Sequence, residues 1–132
     1  MKSKKIWLLL VPVLILVVVG GFMLKQKTEE EKRNREYEVS LVKALKNSYA
    51  GIEEIKITNP YYTDKPGSWS CKIEIHFSDK RVISYGTNHD LDENVNYDGR
   101  MTYGQRDFLN NRKGQTTNKV KVTYSDREKG EQ

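Results

Sequence analysis

One uninterrupted apolar run, residues 6–24, constrains this chain more than any other feature. Its sequence, IWLLLVPVLILVVVGGFML, holds no charge and, apart from the Trp7 indole, no strong hydrogen-bonding side chain. At about 1.5 Å of rise per residue, a helix of this length matches the roughly 30 Å hydrocarbon core of a bilayer. The run predicts a transmembrane anchor, in which Pro12 is tolerable. Residues 1–5 form a short basic head, expected on the cytoplasmic side. Lys25, Lys27, Lys32, Arg33 and Arg35 follow the run, so a tally of positive charge does not set the orientation alone. A basic head followed at once by an apolar run is, however, how signal anchors begin, and the absence of an Ala-x-Ala site predicts retention over cleavage. The expected location is the cell membrane, single-pass, with the N-terminus cytoplasmic and the C-terminal domain extracellular.

Charge and cysteine content narrow the rest. The net charge of +5 includes Lys2, Lys4 and Lys5 of the head, so the remainder carries only +2. That near-neutral balance, with no clustered basic stripe, argues against a nucleic-acid partner. Cys71 is the single cysteine, so no disulfide forms within the chain and the domain must hold by packing. No cysteine stands near the end of the apolar run, which excludes lipoprotein attachment there. Roughly 100 residues beyond the anchor suffice for one small domain.

Thr28 to Glu31 reads as a Thr-x-x-Glu capping box. The turns after it are almost wholly charged, and residues 25–36 are expected to form a solvated helical stalk. Tyr37, Leu41, Val42, Leu45 and Tyr49 then recur at helical spacing, an apolar stripe that should lie on a sheet, with Gly51 ending the helix. Ile52, Ile55 and Ile57 mark a first strand, which Asn59-Pro60 should stop, and residues 61–67 read as a loop. In the clearest strand Trp69, Cys71, Ile73, Ile75 and Phe77 alternate with Ser70, Lys72, Glu74, His76 and Ser78, giving one core face and one wet face. Residues 78–80 turn into a further strand over 81–85, an antiparallel hairpin. Residues 86–99 form a long polar loop, residues 103–112 a short helix with Phe108 and Leu109 inward, and residues 119–124 a last strand. Residues 126–132 read as a flexible tail.

The expected fold is therefore α+β: an N-terminal transmembrane helix, then one long helix packed on an antiparallel sheet of about four strands, cystatin-like in arrangement. The extracytoplasmic domain should cover residues 37–125.

The chemistry-bearing residues are sparse. Asp90 to Gly99 places oxygen ligands at alternate positions, as a calcium loop does. Starting the motif at Asn94 puts Gln105 where a bidentate Glu is wanted. Starting it at Asp90 puts Val95 at the required Gly. The segment reads as a solvated loop, with no metal or other cofactor predicted. His76 and His89 lack a second His or Cys at metal spacing and read as surface histidines. His89 beside Asp90 supplies at most a base, with no nucleophile in an elbow context, so no enzyme is predicted. Tyrosines on loops offer contact area at low entropic cost. Tyr61, Tyr62 and Tyr97, with His89, Asp90 and Asp92, are the candidate binding residues, and for the tyrosines the competing reading is that they cover the ends of the sheet.

The basic head, the apolar anchor, the charged helix, the 43–49 to 51–55 junction (KALKNSY, GIEEI) and the closing VKVTYS strand resemble small, uncharacterised membrane-anchored proteins of Gram-positive bacteria, of the streptococcal type. The resemblance implies a location and a size class and transfers no site residues. The expected function is a membrane-anchored, extracytoplasmic binding module of the bacterial cell envelope, with the membrane and an unknown protein or envelope ligand as partners. The alternatives are an immunity-type protein neutralising a toxin and a cell-envelope hydrolase.

Overall fold

The structure, a computed structural model, describes residues 28–65 and 67–132. The basic head and the apolar run at 6–24 lie outside the described residues, as does the start of the expected stalk. Among the described residues, no helix is long and apolar enough to cross a membrane.

The first helix, α1, spans Glu29–Ser48. The Thr28 hydroxyl accepts from the Glu31 amide at 3.2 Å, the forward half of the capping box. Its inner stripe is as the spacing predicts: Leu41, Val42, Leu45 and Tyr49 are buried, and Tyr37 packs against their cluster. Gly51, at φ +76°, turns the chain out of the helix into the sheet. The stalk reading fails from Arg33 onward. The Arg33 guanidinium lies 4.0 Å from the Tyr62 ring centroid, Asn34 accepts from the Trp69 indole at 3.0 Å, and Arg35 bridges Asp126 and Glu128 at 2.8 and 2.6 Å. Charge density on a helix face signalled solvent, yet three consecutive polar side chains found partners on the sheet or in the turn that joins its last two strands.

Five strands follow: β1 Ile52–Thr63, β2 Ser68–Phe77, β3 Val82–His89, β4 Lys121–Thr123 and β5 Lys129–Glu131. They form one sheet in the order β3-β2-β1-β4-β5. The α+β class is as expected, but the sheet is mixed and five-stranded. β1, β2 and β3 make an antiparallel meander, whereas β4 runs parallel to β1, with Val122 opposite Ile55. A second helix, α2 at Tyr103–Asn110, lies in the long connection that carries the chain from one side of the sheet to the other. The supposed tail supplies β5, which pairs antiparallel with β4. Gln132 and Val120 exchange backbone hydrogen bonds at 2.6 and 3.0 Å, closing that hairpin.

Asn59-Pro60 does not stop β1. Proline has no amide hydrogen and cannot donate to a ladder, so pairing lapses between Thr58 and Tyr61 and then resumes one residue out of step. Asn59 takes φ 53°, a left-handed conformation that asparagine tolerates better than most residues. The slip has a geometric consequence, because a shift of one residue exchanges the faces of a strand. Tyr62 joins the core side, opposite Trp69, and Tyr61 is turned outward opposite Ser70.

One face of the sheet is covered by α1. The alternation of β2 is as predicted, with Trp69, Cys71, Ile73, Ile75 and Phe77 all buried. Leu109 enters the same cluster from α2, while Phe108 meets Phe77 edge to face at 5.5 Å. Thr102 and Gln105 cap α2 reciprocally, and the Gln105 amide also donates to Ser84 O at 2.9 Å.

The long polar connection runs back along the outer edge of β3 and covers it. Arg100 N donates to Gly86 O at 2.8 Å, and Asn96 Nδ2 donates to Asn88 O at 3.1 Å. Strand β3 therefore extends to His89, and the loop begins only at Asp90. Covering an edge strand removes a template for wrong pairing.

Candidate functional site

The outer side of α1 borders a groove of about 580 Å³. The helix contributes Glu36, Val39, Ser40, Lys43 and Asn47, spaced so that they share one face. The opposite wall is the start of the loop, Leu91, Glu93 and Asn94, with Gln132 at the far end. The wall is tied down at several points. Asn47 Nδ2 donates to Asn94 O at 3.0 Å, and Lys46 Nζ donates to Gln132 O at 2.9 Å. Glu93 folds back to accept from the Asp90 amide at 3.1 Å, and burial pushes its carboxyl above the ordinary range against that hydrogen bond. Two apolar side chains remain open to water inside this polar frame, Val39 at 40% exposure and Leu91 at 42%. From residue 36 to 47 the helix offers roughly 16 Å of groove, the length of about five extended residues.

The candidate residues read from the sequence do not converge. Tyr61 is exposed on the open face of the sheet, while Tyr62 lies on the helix side, its ring centroid 6.1 Å from that of Tyr37. Tyr37 in turn stacks on Trp69 at 5.3 Å, so Tyr62 belongs to an aromatic cluster that closes one end of the core. Both are strand residues, not loop residues. Tyr97 caps the other end, edge to face with Tyr49 at 5.8 Å and with Lys113 Nζ 4.9 Å from its centroid. Asp90 and Asp92 are exposed in the turn after β3.

His89 is not a surface histidine; its side chain is buried. It occupies the last position of β3 opposite Trp69, on the core side. Its Nε2 lies 2.8 Å from Ser40 Oγ, which is also 3.4 Å from Leu91 O. Its Nδ1 is buried without a hydrogen-bond partner among the described residues. Burial holds the imidazole pKa below its ordinary value, although Asp90 and Asp92 pull the other way. A neutral imidazole next to a serine is the start of a nucleophile–base pair, but Nδ1 meets no carboxylate to orient the ring. The contact ties the end of β3 to the middle of α1 at the floor of the groove. Ser40 escaped sequence reasoning because its 49 residues of separation from His89 leave no local pattern.

Within the calcium-like run, the Glu93 and Asn96 side chains are held by internal bonds, while Asp90, Asp92 and Asp98 are exposed. Asn96 is buried; its Oδ1 accepts from Thr87 Oγ1 at 3.1 Å, and its backbone N–H donates to Ser48 Oγ at 2.7 Å. Among the described residues, no group of three His, Cys, Asp or Glu side chains is placed to hold a metal ion.

No protein-family model, no curated protein and no solved structure matches this chain.

Proposed function

We propose that the protein is a membrane-anchored, extracytoplasmic binding module of the bacterial cell envelope, and that the groove along α1 takes an extended segment of a partner protein. The supporting observation is the pair Val39 and Leu91, apolar side chains left in water inside a groove whose walls are otherwise polar and pinned. Such a half-dry groove gains most from a ligand that supplies one apolar side chain, with Lys43 favouring an acidic neighbour. The anchor is residues 6–24, and in this reading the domain faces outward. A cystatin-like arrangement of the helix across the β1–β3 meander is the finer proposal on fold, and the parallel β4 is its departure from that plan.

A photo-crosslinking residue placed at position 39 of the full-length protein in its native cells tests the groove. The expected result is one discrete adduct, lost when Lys43→Glu is added and absent when the probe sits at Tyr103, an exposed residue elsewhere on the surface. Equal adducts from both positions would remove the groove from consideration. Proximity labelling from a fusion after Gln132 tests the location, and labelling of cytoplasmic proteins alone would overturn the outward-facing reading.

The hydrolase alternative has the Ser40–His89 contact in its favour. It predicts that Ser40 Oγ is phosphonylated by a fluorophosphonate probe, with loss of fluoride, and that His89→Ala abolishes the labelling. A binding module should show no labelling above that of Ser40→Ala.

A further inference from the structure

The face of the sheet turned away from α1 carries a strip that the groove does not use. Cross-strand register places Tyr61, Ser70 and Asn88 in one row, and Thr58, Lys72 and Gly86 in the next. Tyr61 is there only because of the bulge at Asn59-Pro60, which turns it outward, and its side chain is 66% exposed. Arg100 joins the second row from beyond the edge, through its bridge to Gly86. Its guanidinium lies flat over Gly86; a Cβ at that position would collide with Nη2, Cζ and Nε together. Glycine here makes room for the side chain of Arg100, an exposed residue, to rest on the backbone.

These two rows contain no acidic side chain. The nearest carboxylate on the face, Glu74, is taken up by His76 at 2.7 Å and Lys56 at 3.8 Å. Lys72 and Arg100 form no ion pair among the described residues. The strip thus combines an exposed aromatic ring, two cations of different geometry that make no direct salt bridge among the described residues, and the short polar side chains of Ser70, Thr58 and Asn88 between them. With strands about 4.8 Å apart, it extends roughly 10 Å from Tyr61 to Gly86, room for about two sugar rings.

We propose that this strip binds an acidic polysaccharide built of carboxylated pyranose rings. A pyranose presents a flat C–H face to the Tyr61 ring, whose electron-rich surface attracts it. The ring carboxylate accepts two parallel hydrogen bonds from the Arg100 fork, and a second carboxylate meets the Lys72 ammonium. An open-chain polyol phosphate would bring charge but no ring for Tyr61. Hydroxyl and amide groups between the cations bond the sugar hydroxyls. The inference is independent of the peptide groove, which lies on the other side of the molecule's sheet.

The test uses full-length protein in detergent micelles, titrated calorimetrically with oligogalacturonate. Dextran oligomers serve as a neutral control, poly(glycerol phosphate) as a phosphate polyanion and single-stranded DNA as a nucleic acid. Oligogalacturonate should bind, more weakly as salt rises, and dextran should not. Arg100→Gln and Lys72→Gln should each weaken binding about tenfold, the effect of one charge-assisted contact. Tyr61→Phe should retain binding and Tyr61→Ser lose it. All three positions are exposed, so unchanged melting curves would show that the fold is intact. Lys119→Gln, at an exposed lysine outside both the strip and the groove, should leave oligogalacturonate binding unchanged. Absence of oligogalacturonate binding, binding indifferent to the three strip substitutions, or tighter binding of poly(glycerol phosphate) or DNA would each overturn the proposal.

Discussion

Glu38 is a carboxyl group buried between α1 and the β4–β5 turn, where it accepts from Ser125 N and from Ser125 Oγ, both at 2.7 Å. Burial raises its pKa; the two bonds from Ser125 and the nearby Arg35 oppose the rise, while Asp126 adds to it. The folded protein therefore holds the Glu38 proton more tightly than the unfolded chain does. Its contribution to stability is complete below the unfolded value near 4.5 and is lost as pH rises through the folded value. His89 has the opposite sign. Its folded pKa is depressed, so its contribution is complete above 6.5 and falls away as pH drops below that value. Glu38→Gln, which can still accept from Ser125 N, should keep or raise the melting temperature at pH 7 and leave a curve that declines only toward acid. Adding His89→Phe should flatten that remaining decline between pH 7 and pH 5. Glu38→Ala leaves the Ser125 amide unpaired and should cost about 2 kcal/mol by chemical denaturation. Neither environment could be read from the sequence. A glutamate on a charged helix and a histidine beside two aspartates both look solvated, and only the strands packed over them remove the water.

Strand β2 was legible in full because its alternation is strict and both its neighbours are strands, so period two maps directly onto inside and outside. Strand β1 was legible to Thr58 and no further. Its proline does remove a ladder donor, as the sequence indicated, but the strand absorbs the loss as a bulge, and the exchange of faces assigns Tyr61 and Tyr62 opposite roles. The short β4 and β5 depend on each other and on β1, and a three-residue strand carries too few alternating positions to announce itself. The connection after β3 is an edge cover, and its buried pin is Asn96, bonded to Thr87 and Asn88. Asn96→Ala should cost about 1 kcal/mol, since it removes the side-chain bond to Asn88 O while the Thr87 hydroxyl keeps Asp98 O at 3.0 Å. Hydrogen exchange should then quicken at the β3 amides facing the edge, while the β1–β2 ladder stays protected. Equal loss of protection across the sheet would show that the loop is part of the core and not a cover.

For the molecule as a whole, the apolar run and the described domain carry separate predictions. If residues 6–24 span the membrane, the full-length protein should remain in the pellet after carbonate extraction, and external protease should remove the domain from intact cell membranes. Release by carbonate would reduce the apolar run to a peripheral contact or a cleaved leader. Substitution in the groove should leave this behaviour and the melting temperature unchanged, because Val39 and Leu91 are half exposed and contribute little to the core. What the sequence determined by itself is everything that follows from short-range periodicity: the apolar run, the stripe on α1, the alternating strand β2, the turn at residues 78–80 and the α+β class. Tertiary structure alone decided which side of β1 the chain returns to, which polar residues lose their water, and which side chains meet in the groove and on the open face. Periodicity records only whether a side chain faces inward or outward along its own element. Who stands opposite is set by crossings between segments distant in sequence, such as Ser40 with His89 or Gly86 with Arg100, and these leave no regular spacing to read.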